Sequence, residues 1–291
     1  MSDPLDALTA ACEEVGLDSA AAELIREGEN TLYRLPGAVV ARVTRVSQLA
    51  TAAKELRVSC WLGSVGVPAV EAMPSLAQPV EVDGRAVTFW RELPPHREGS
   101  IEQVADTLRK IHRLQPPPEV RLPSLDPFAR LEGRIQEAAA FGDDDRSWLL
   151  SRLDGLKDRY RQLPAGLRWS AVHGDAWGGN IVATDNGPVV LDLERFAIGP
   201  PEWDLTSMAV DYFTFGSMSR NDWESFCERY GSDVSEWPGY PTLRDARELR
   251  KVTFAGQMAA QFPHLQEQAR HRLACIRGER GARPWHWIPV P

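Results

Sequence analysis

The spacing of apolar residues divides the chain into a first part rich in strand patterns and a longer part rich in helix patterns. Apolar positions recur at helical spacing over residues 4–15 and 19–26. Two runs rich in β-branched residues then flank Pro36-Gly37, a pair typical of turns. These patterns predict two short helices followed by a β-hairpin within residues 27–45.

A third helix and further strands are predicted before residue 94. Residues 48–62 carry an apolar side chain every three or four positions, which predicts a helix. Strand patterns return over 67–93, with a turn at Asp83-Gly84. Two strands, a helix and two more strands form the outline of a small lobe built on an antiparallel sheet.

Beyond Pro94-Pro95 the pattern becomes mostly helical. Ser100 and Gln103 have the spacing of a capping box at the start of a helix. A strand is predicted just before residue 173, and a hairpin is predicted around the turn at 185–187. Helical patterns then recur over four ranges: 203–218, 221–231, 242–261 and 264–278. We therefore predict an α+β fold with an N-terminal lobe over 1–93 and a helical lobe over 94–291.

Composition and charge narrow the range of functions. The chain has 291 residues, 43% of them apolar, which is enough for two domains with their own cores. It has no apolar run of about 18 residues and its N-terminus is acidic, so we expect a cytoplasmic protein without a membrane partner. Residues 1–29 carry a net charge of −7, out of −8 for the whole chain. Because the rest is nearly neutral and lacks a clustered basic face, nucleic acid is not an expected partner.

The residues with the clearest chemistry lie between 173 and 194. Asp175 follows an apolar strand, and Asn180 comes five positions later, just before the predicted hairpin. Asp192 and Glu194 stand where the second strand of that hairpin ends, so the turn should bring Asn180 and Asp192 together. Carboxylate and amide oxygens suit Mg²⁺, and a separate carboxylate suits proton transfer from a hydroxyl. This set is what phosphoryl transfer from a nucleoside triphosphate requires.

The segment HGDAWGGN, followed by LDLE, resembles the catalytic segment of the aminoglycoside phosphotransferase family, which are relatives of the protein kinases. The resemblance implies a bilobal kinase-like fold with Asp175 as the catalytic base. It implies Asn180 and Asp192 as metal ligands, and it gives Glu194 a metal or supporting role. It also implies that His173 is structural and that Asp204, in GPPEWDLTSMA, ties down the catalytic loop.

The same resemblance extends to the nucleotide. It places Gly28 and Asn30 in a hairpin loop over the phosphates, and Glu92 and Leu93 in a hinge against the purine. The position where the family has a phosphate-binding lysine is occupied by Arg42. A guanidinium keeps the charge but is not equivalent to an ammonium. Glu55 is its expected ion-pair partner, and either ATP or GTP is the expected nucleotide.

The resemblance therefore implies a Mg²⁺-dependent phosphotransferase that acts on a hydroxyl of a small molecule. An antibiotic is the first acceptor to consider, with resistance as the result. Three alternatives stay open: a metabolite kinase of the choline, homoserine or fructosamine type, a kinase for a neutral or nucleoside-type antibiotic, and a nucleotide-binding pseudokinase. A polycationic aminoglycoside calls for a dense acidic lip, for which the candidates are Asp143–Asp145, Glu224, Glu228 and Asp233.

Overall fold

A computed structural model describes residues 3–290 and has the predicted α+β fold. The chain forms two compact units. Unit 1 takes the described residues up to Pro123 together with Gly178–Ala197, and unit 2 takes Ser124–Trp177 and the described residues from Ile198 onward. Within residues 3–290, no helix is long and apolar enough to cross a bilayer.

Strands and helices alternate along the chain. The strands within residues 3–290 are β1 (Glu23–Arg26), β2 (Thr31–Leu35), β3 (Val39–Val46), β4 (Val80–Val82), β5 (Arg85–Arg91), β6 (Arg97–Glu98), β7 (Ser170–Val172), β8 (Ile181–Thr184), β9 (Gly187–Val190) and β10 (Ala197–Gly199). The α-helices there are α1 (Pro4–Val15), α2 (Leu49–Ser64), α3 (Ile101–Ile111), α4 (Leu131–Glu137), α5 (Asp143–Arg161), α6 (Glu202–Val210), α7 (Arg220–Tyr230), α8 (Tyr240–Gln261) and α9 (Gln266–Ile276). A π-helical segment, Asp211–Phe215, follows α6.

The sheet of unit 1 has the strand order β1-β2-β3-β5-β4, with antiparallel pairing throughout. The predicted hairpin is confirmed, since Leu35 pairs with Val39 across the turn. Six of the seven residues of β5 are buried, because α1 and α2 both contact this strand. The strand that leads to the predicted hinge is therefore held between β3 and β4 and covered by helices.

Helix α1 shows how local sequence signals and packing agree. The Asp3 side chain accepts a hydrogen bond from the Leu5 N–H and caps the helix, and Pro4 occupies its first turn. Gly16, in the left-handed conformation, ends it. The face that carries Leu8 and Cys12 is fully buried against the sheet. This face covers one side of the sheet of unit 1.

The helix predicted over 19–26 is wrong. Glu23–Arg26 forms the edge strand β1, and all four of its residues are exposed. Leu24 and Ile25 gave the segment an amphipathic pattern, but a helix of about two turns is marginal unless tertiary packing stabilises it. Pairing of Glu23 with Arg34 supplies backbone hydrogen bonds instead. The loop that follows is consequently the turn between two strands.

The compact units differ from the predicted division after residue 93. The hairpin β8-β9 pairs with β6, and Val190 exchanges backbone hydrogen bonds with Pro68 and Val70. These contacts, together with α3, place residues 178–197 in unit 1. Asp175 therefore belongs to unit 2, whereas the three predicted metal ligands belong to unit 1. The division into two functional lobes after residue 93 stays a prediction.

Unit 2 is built around the long helix α8. Helices α4, α5, α6 and α9 all contact it, and its apolar face contributes Leu243, Leu249 and Val252 to the core. Strands β7 and β10 pair with each other, and β7 ends directly before the loop at 173–177. The sequence around Asp175 is thus attached to a rigid helical core.

Candidate functional site

The loop that carries Asp175 is fixed by a buried carboxylate. Asp204, which is fully buried, accepts the His173 N–H at 2.7 Å and the Gly174 N–H at 2.9 Å. Gly174 has φ +86°, a left-handed conformation that favours glycine. The Asp175 N–H then donates to Nδ1 of buried His173 at 3.3 Å. The predicted anchoring contacts of Asp204 and the buried, structural position of His173 are confirmed, and the Asp175 carboxylate stays 39% exposed.

Trp203 and Arg247 complete the support of this loop. The indole Nε1 of Trp203 donates to the Gly174 carbonyl at 2.9 Å. The Arg247 guanidinium stacks 4.0 Å from the centroid of the same indole and donates to the Trp203 carbonyl. Its Nη1 lies 3.7 Å from Oδ1 of Asp175. Sequence reasoning missed Arg247, which is 70 or more positions away from the loop at 173–177 and looks like part of a solvated helix face.

Replacing Asp204 with alanine is expected to destabilise unit 2 by about 2 to 4 kcal/mol, because two buried N–H groups lose a charged acceptor. Chemical denaturation measures the change. Asp144→Ala, which removes an exposed carboxylate at the start of α5, serves as the control and should change stability by a few tenths of a kcal/mol. Equal effects of the two substitutions would show that the anchor is unimportant.

Asn180 and Asp192 lie at the same end of the β8-β9 hairpin in unit 1. Ile181 pairs with Val190, and the Leu191 N–H donates to the Asn180 carbonyl at 2.8 Å, which continues the ladder toward both residues. Asp192 is exposed and has φ +49°, an uncommon conformation for a non-glycine residue that is often kept at functional positions. The predicted approach of the Asn180 and Asp192 backbones is therefore confirmed.

Gly178 and Gly99 allow the loop before Asn180 to lie close to the start of α3. The Gly99 N–H donates to the Gly178 carbonyl at 2.9 Å. A Cβ on Gly99 would lie only 2.1 Å from the Ile181 carbonyl oxygen, and one on Gly178 would lie 3.0 Å from the Gly99 oxygen. Only glycine fits at residue 99 without a backbone shift, so this contact fixes the chain on either side of Asn180.

Arg42 is the centre of a charged network in unit 1. Its guanidinium forms the expected ion pair with Glu55 of α2, and its Nη2 lies 3.2 Å from Oε2 of Glu194. With its amide oxygen turned toward the guanidinium, Asn30 accepts from Nε at 3.1 Å and from Nη2 at 2.7 Å. Burial raises the pKa of Glu55 to about 7, against the opposing effect of Arg42. One side chain thus joins β3, α2, the loop after β1 and the segment after β9.

Glu194 and Lys54 hold the segment that follows Asp192. The ammonium of Lys54 donates to the Glu194 carbonyl and, at 3.2 Å, to the Phe196 carbonyl. Burial lowers the pKa of Lys54, and Glu55 and Glu194 oppose that effect. Lys54 and Glu55 are neighbours on α2. This helix therefore binds the backbone after Asp192 directly through Lys54, and it is linked to the Glu194 carboxylate through the ion pairs of Arg42. Sequence reasoning missed Lys54, since a lysine on an amphipathic helix usually points to solvent.

Replacing Arg42 with methionine is expected to cost about 3 to 5 kcal/mol of stability, because the nearly buried Glu55 loses its cation. Urea unfolding measures this. Arg45→Met on the same strand is the matched control: Arg45 pairs with Glu29 at the surface, so its loss should cost less than about 1 kcal/mol. If both variants unfold at the same urea concentration, the network around Arg42 does not stabilise the fold.

The remaining residues predicted to bind nucleotide lie in a loop and at the end of a strand of unit 1, and their contact with a nucleotide stays a prediction. Gly28 and Asn30 are in the loop between β1 and β2, although nothing crowds a Cβ at Gly28. Glu92 and Leu93 directly follow β5. The Glu92 N–H is committed to the Ala38 carbonyl at 2.8 Å, whereas the Leu93 N–H donates to no described residue. Of these two predicted hinge residues, Leu93 is the one whose N–H is not used within the described chain.

Asp211 and Lys251 are two titratable residues of unit 2 that the sequence did not single out. Burial raises the pKa of Asp211 to about 6, and Lys251 and Arg247 act in the opposite direction. Desolvation lowers the pKa of Lys251, and the charges of Asp175 and Asp211 act in the opposite direction. Lys251 follows Arg247 by one helical turn on α8, so the two cations lie on the same side of that helix.

The raised pKa of Asp211 has a consequence for stability. A carboxyl that binds its proton more tightly in the folded state stabilises that state fully below its ordinary pKa of 3.8, and the contribution is lost as the pH rises through about 6. Relative to Asp211→Asn, the wild type should therefore gain stability, on the order of 1 kcal/mol, as the pH falls from about 7 to about 4.5. Denaturation of both proteins across this range measures the difference. A constant difference would contradict the shift.

Comparisons with known proteins agree with this geometry. The family model described as "Phosphotransferase enzyme family" (APH) matches residues 23–249. A ketosamine-3-kinase of Mus musculus is 31% identical over 100 residues, which is 34% of this chain and 29% of the mouse protein. The match thus spans less than a third of that relative.

Solved structures share the fold. The amicoumacin kinase hAmiN, in complex with AMP-PNP, Ca²⁺ and its ligand, superposes with a TM-score of 0.69 at 14% identity, over 92% of this chain and 93% of that one. An aminoglycoside phosphotransferase from Streptomyces rimosus gives 0.60 at 21% identity, over 84% and 98%. A choline/ethanolamine kinase family protein from Mesorhizobium loti gives 0.59 at 18% identity, over 94% and 95%.

Proposed function

Since the chain belongs to the APH phosphotransferase enzyme family, we propose that it transfers the γ-phosphoryl group of ATP or GTP to a hydroxyl of a small molecule, with Mg²⁺. The observation that carries the proposal is the loop of unit 2. There Asp204, Trp203 and His173 hold the backbone around Asp175 while its carboxylate stays accessible.

Asp175 acts as the base in this proposal. Its carboxylate accepts the proton of the acceptor hydroxyl as the oxygen forms its bond to phosphorus. Arg247 lies 3.7 Å away and is itself fixed on Trp203, so it limits the directions in which the carboxylate turns. Preorganisation of this kind removes the need to reorient the base during the reaction.

Asn180 and Asp192 would hold the metal. The hairpin brings their backbones to one end, and one amide plus one carboxylate, completed by phosphate oxygens and water, is a common Mg²⁺ set. When bound, the ion neutralises charge on the phosphates. No group of three His, Cys, Asp or Glu side chains within residues 3–290 is arranged to hold a metal. Glu194 stays a proposed ligand, and here its carboxylate contacts Arg42.

Unit 1 supplies the proposed nucleotide contacts. Arg42, held by Glu55, takes the place of a phosphate-binding lysine, and Asn30 in the β1-β2 loop lies against the same guanidinium. Leu93 offers its N–H and Glu92 its carbonyl to the purine. The ion pair of Arg42 with Glu55 favours an active kinase over a pseudokinase, because the substitution by arginine preserves the charged link from β3 to α2.

The acceptor class has two candidates. An antibiotic fits the likeness in fold to antibiotic kinases and would make the protein a resistance enzyme. A metabolite acceptor, such as a ketosamine, is favoured by the 31% identity to the mouse ketosamine-3-kinase. Incubation of the protein with Mg²⁺, ATP or GTP and both groups of acceptors, followed by mass spectrometry, tests the proposal. A phosphorylated product in either group supports it and chooses between them.

A further inference from the structure

Helix α5 of unit 2 borders a cavity that has no part in the proposed reaction. The cavity has a volume of about 300 Å³ and is lined by Trp148, Ser151, Arg152, Gly155, Leu156 and Arg159. Arg152 and Arg159 are two helical turns apart, so both guanidinium groups lie on the same side of α5. The volume is large enough for a small organic molecule.

One carboxylate faces three arginines beside this cavity. Oδ2 of Asp245, a buried residue of α8, lies 2.8 Å from Nη2 of Arg152 and 2.9 Å from Nη1 of Arg159. Oδ1 of the same carboxylate accepts from Arg244 at 2.9 Å. Burial raises the pKa of Asp245, but hydrogen bonds from Arg159 and Arg244 outweigh that effect and hold it below its usual value. Asp245 is therefore ionised, and it supplies only one negative charge.

A second buried carboxylate does not neutralise the remaining charge. Glu248 is bound at both oxygens by a fourth arginine, Arg283, at 2.6 Å each, so the four arginines exceed the two carboxylates by two charges. Within residues 3–290, the guanidinium groups of Arg152 and Arg159 have no hydrogen-bond or ion-pair partner besides Asp245. Each uses one terminal nitrogen on it and is about two-fifths exposed. Their other N–H groups are thus available to an anion.

Gly155 keeps the space between these two arginines open. It lies three positions after Arg152 and four before Arg159, which places it on the same side of α5. Glycine inside a helix is less favourable than alanine. A Cβ at this position would meet no atom within 4 Å, so packing does not require glycine here. The missing side chain therefore leaves room at the cavity that the fold itself does not need.

Trp148 gives the cavity an aromatic wall. The Arg277 guanidinium lies 5.1 Å from the centroid of its ring and is itself held by Asp145 at 2.9 Å. Ser151, about one turn further along α5, is exposed and carries a hydroxyl. None of the described residues that line the cavity carries a carboxylate. The lining thus combines an aromatic face, a hydroxyl and two guanidinium groups.

The cavity lies on the opposite side of α8 from the catalytic loop. Asp245 and Arg247 are two positions apart, which is about 200° around a helix. Arg247 contacts the Trp203 carbonyl and lies 3.7 Å from Asp175, whereas Asp245 contacts α5. A ligand in the cavity would therefore be separated from Asp175 by the helix.

We propose that Arg152 and Arg159 bind the phosphate group of a small phosphate monoester, with Ser151 donating to the phosphate and Trp148 packing against the organic part. A phosphate dianion supplies the two negative charges that are missing, and its oxygens match the forked donors of guanidinium groups. A carboxylate supplies one charge and a neutral sugar none. This site goes beyond the proposed phosphotransferase function and does not depend on it.

Calorimetric titration of the full chain at pH 8, without nucleotide or Mg²⁺, tests the site. The probes are glucose 6-phosphate, glucuronate, glucose and inorganic phosphate. Wild type is expected to bind glucose 6-phosphate most tightly, because only this probe has both a dianion and a ring for Trp148. Arg152→Gln and Arg159→Gln should each weaken that binding by about tenfold or more, since each removes a charge-assisted hydrogen bond. Arg161→Gln, which removes an exposed arginine of the same helix that does not line the cavity, should leave it unchanged.

A substitution at Gly155 keeps the test independent of lost ion pairs. Gly155→Glu places a carboxylate at the spacings from Arg152 and Arg159 that favour ion pairs on a helix. It should raise the melting temperature of the free protein and reduce glucose 6-phosphate binding at least tenfold, because it fills the cavity and supplies a negative charge. Gly155→Ala is the matched control: it should also raise the melting temperature, but a methyl group leaves the cavity open and binding unchanged.

Thermal unfolding of each variant identifies a protein that has not folded, and Gly155→Glu then decides the result. Three outcomes overturn the site. They are the absence of glucose 6-phosphate binding to wild type, equally tight binding of glucuronate, glucose or inorganic phosphate, and unchanged binding in Gly155→Glu and the folded arginine variants. Phosphate transfer to an acceptor is measured separately, so its absence would refute the proposed function and leave this site standing.

Discussion

Replacing Asp175 with asparagine is expected to lower kcat by about two to four orders of magnitude, the usual contribution of a general base. Asparagine keeps the size of the side chain and the backbone contacts of the loop to Asp204, so the fold should be unchanged. Nucleotide affinity should also be unchanged, because the residues proposed to bind nucleotide belong to unit 1. Steady-state kinetics and nucleotide titration measure the two effects separately.

The matched control is Asp144→Asn, which neutralises an exposed carboxylate of α5 in the same unit. It should leave kcat within a factor of two or so, as expected of a surface change. Arg247→Gln provides a finer comparison, since it leaves the base in place but removes the cation 3.7 Å away. A normal kcat in Asp175→Asn would exclude this carboxylate as the base.

Replacing Asn180 with alanine is expected to lower kcat by about 100-fold or more, because the phosphates lose part of their preorganised electrostatic support. The Mg²⁺ concentration needed for half-maximal activity should rise at the same time. Stability should change little, since the ladder next to Asn180 uses its backbone carbonyl. Kinetics as a function of Mg²⁺, with thermal unfolding in parallel, measures both quantities.

Asn186→Ala is the natural control for this substitution. Asn186 is the same residue type in the turn at the opposite end of the same hairpin, and it is exposed. Its loss tests whether any weakening of the hairpin alone reduces activity. Equal Mg²⁺ requirements in wild type and Asn180→Ala would remove Asn180 from the metal set.

Some of this account could be read from local sequence. The capping box at Ser100 and Gln103 is present, because both partners lie within one turn of helix. The hairpin turn at 185–187 could be predicted for the same reason. The spacing of Asn180 and Asp192 around that hairpin then sufficed to predict that they come together.

Other features depend on contacts that no local pattern records. Lys54 and Arg247 each look like solvated helix residues, and their roles appear only when the helix is packed against a distant segment. The strand β1 was mistaken for a helix because Leu24 and Ile25 suit both, and its pairing with β2 decides between them. The sequence pattern over 203–218 indicates a continuous helix and does not distinguish the π-helical segment within it.

The central claim is that this chain moves a phosphoryl group to a small-molecule hydroxyl with Asp175 as the base. The most direct measurement is mass spectrometry of an acceptor panel of antibiotics, choline-type alcohols and ketosamines, each incubated with Mg²⁺, nucleotide and either wild type or Asp175→Asn. The account predicts a singly phosphorylated acceptor with wild type and almost none with the variant, at equal nucleotide binding. Nucleotide binding by wild type without any phosphorylated acceptor, or equal product from both proteins, would contradict it.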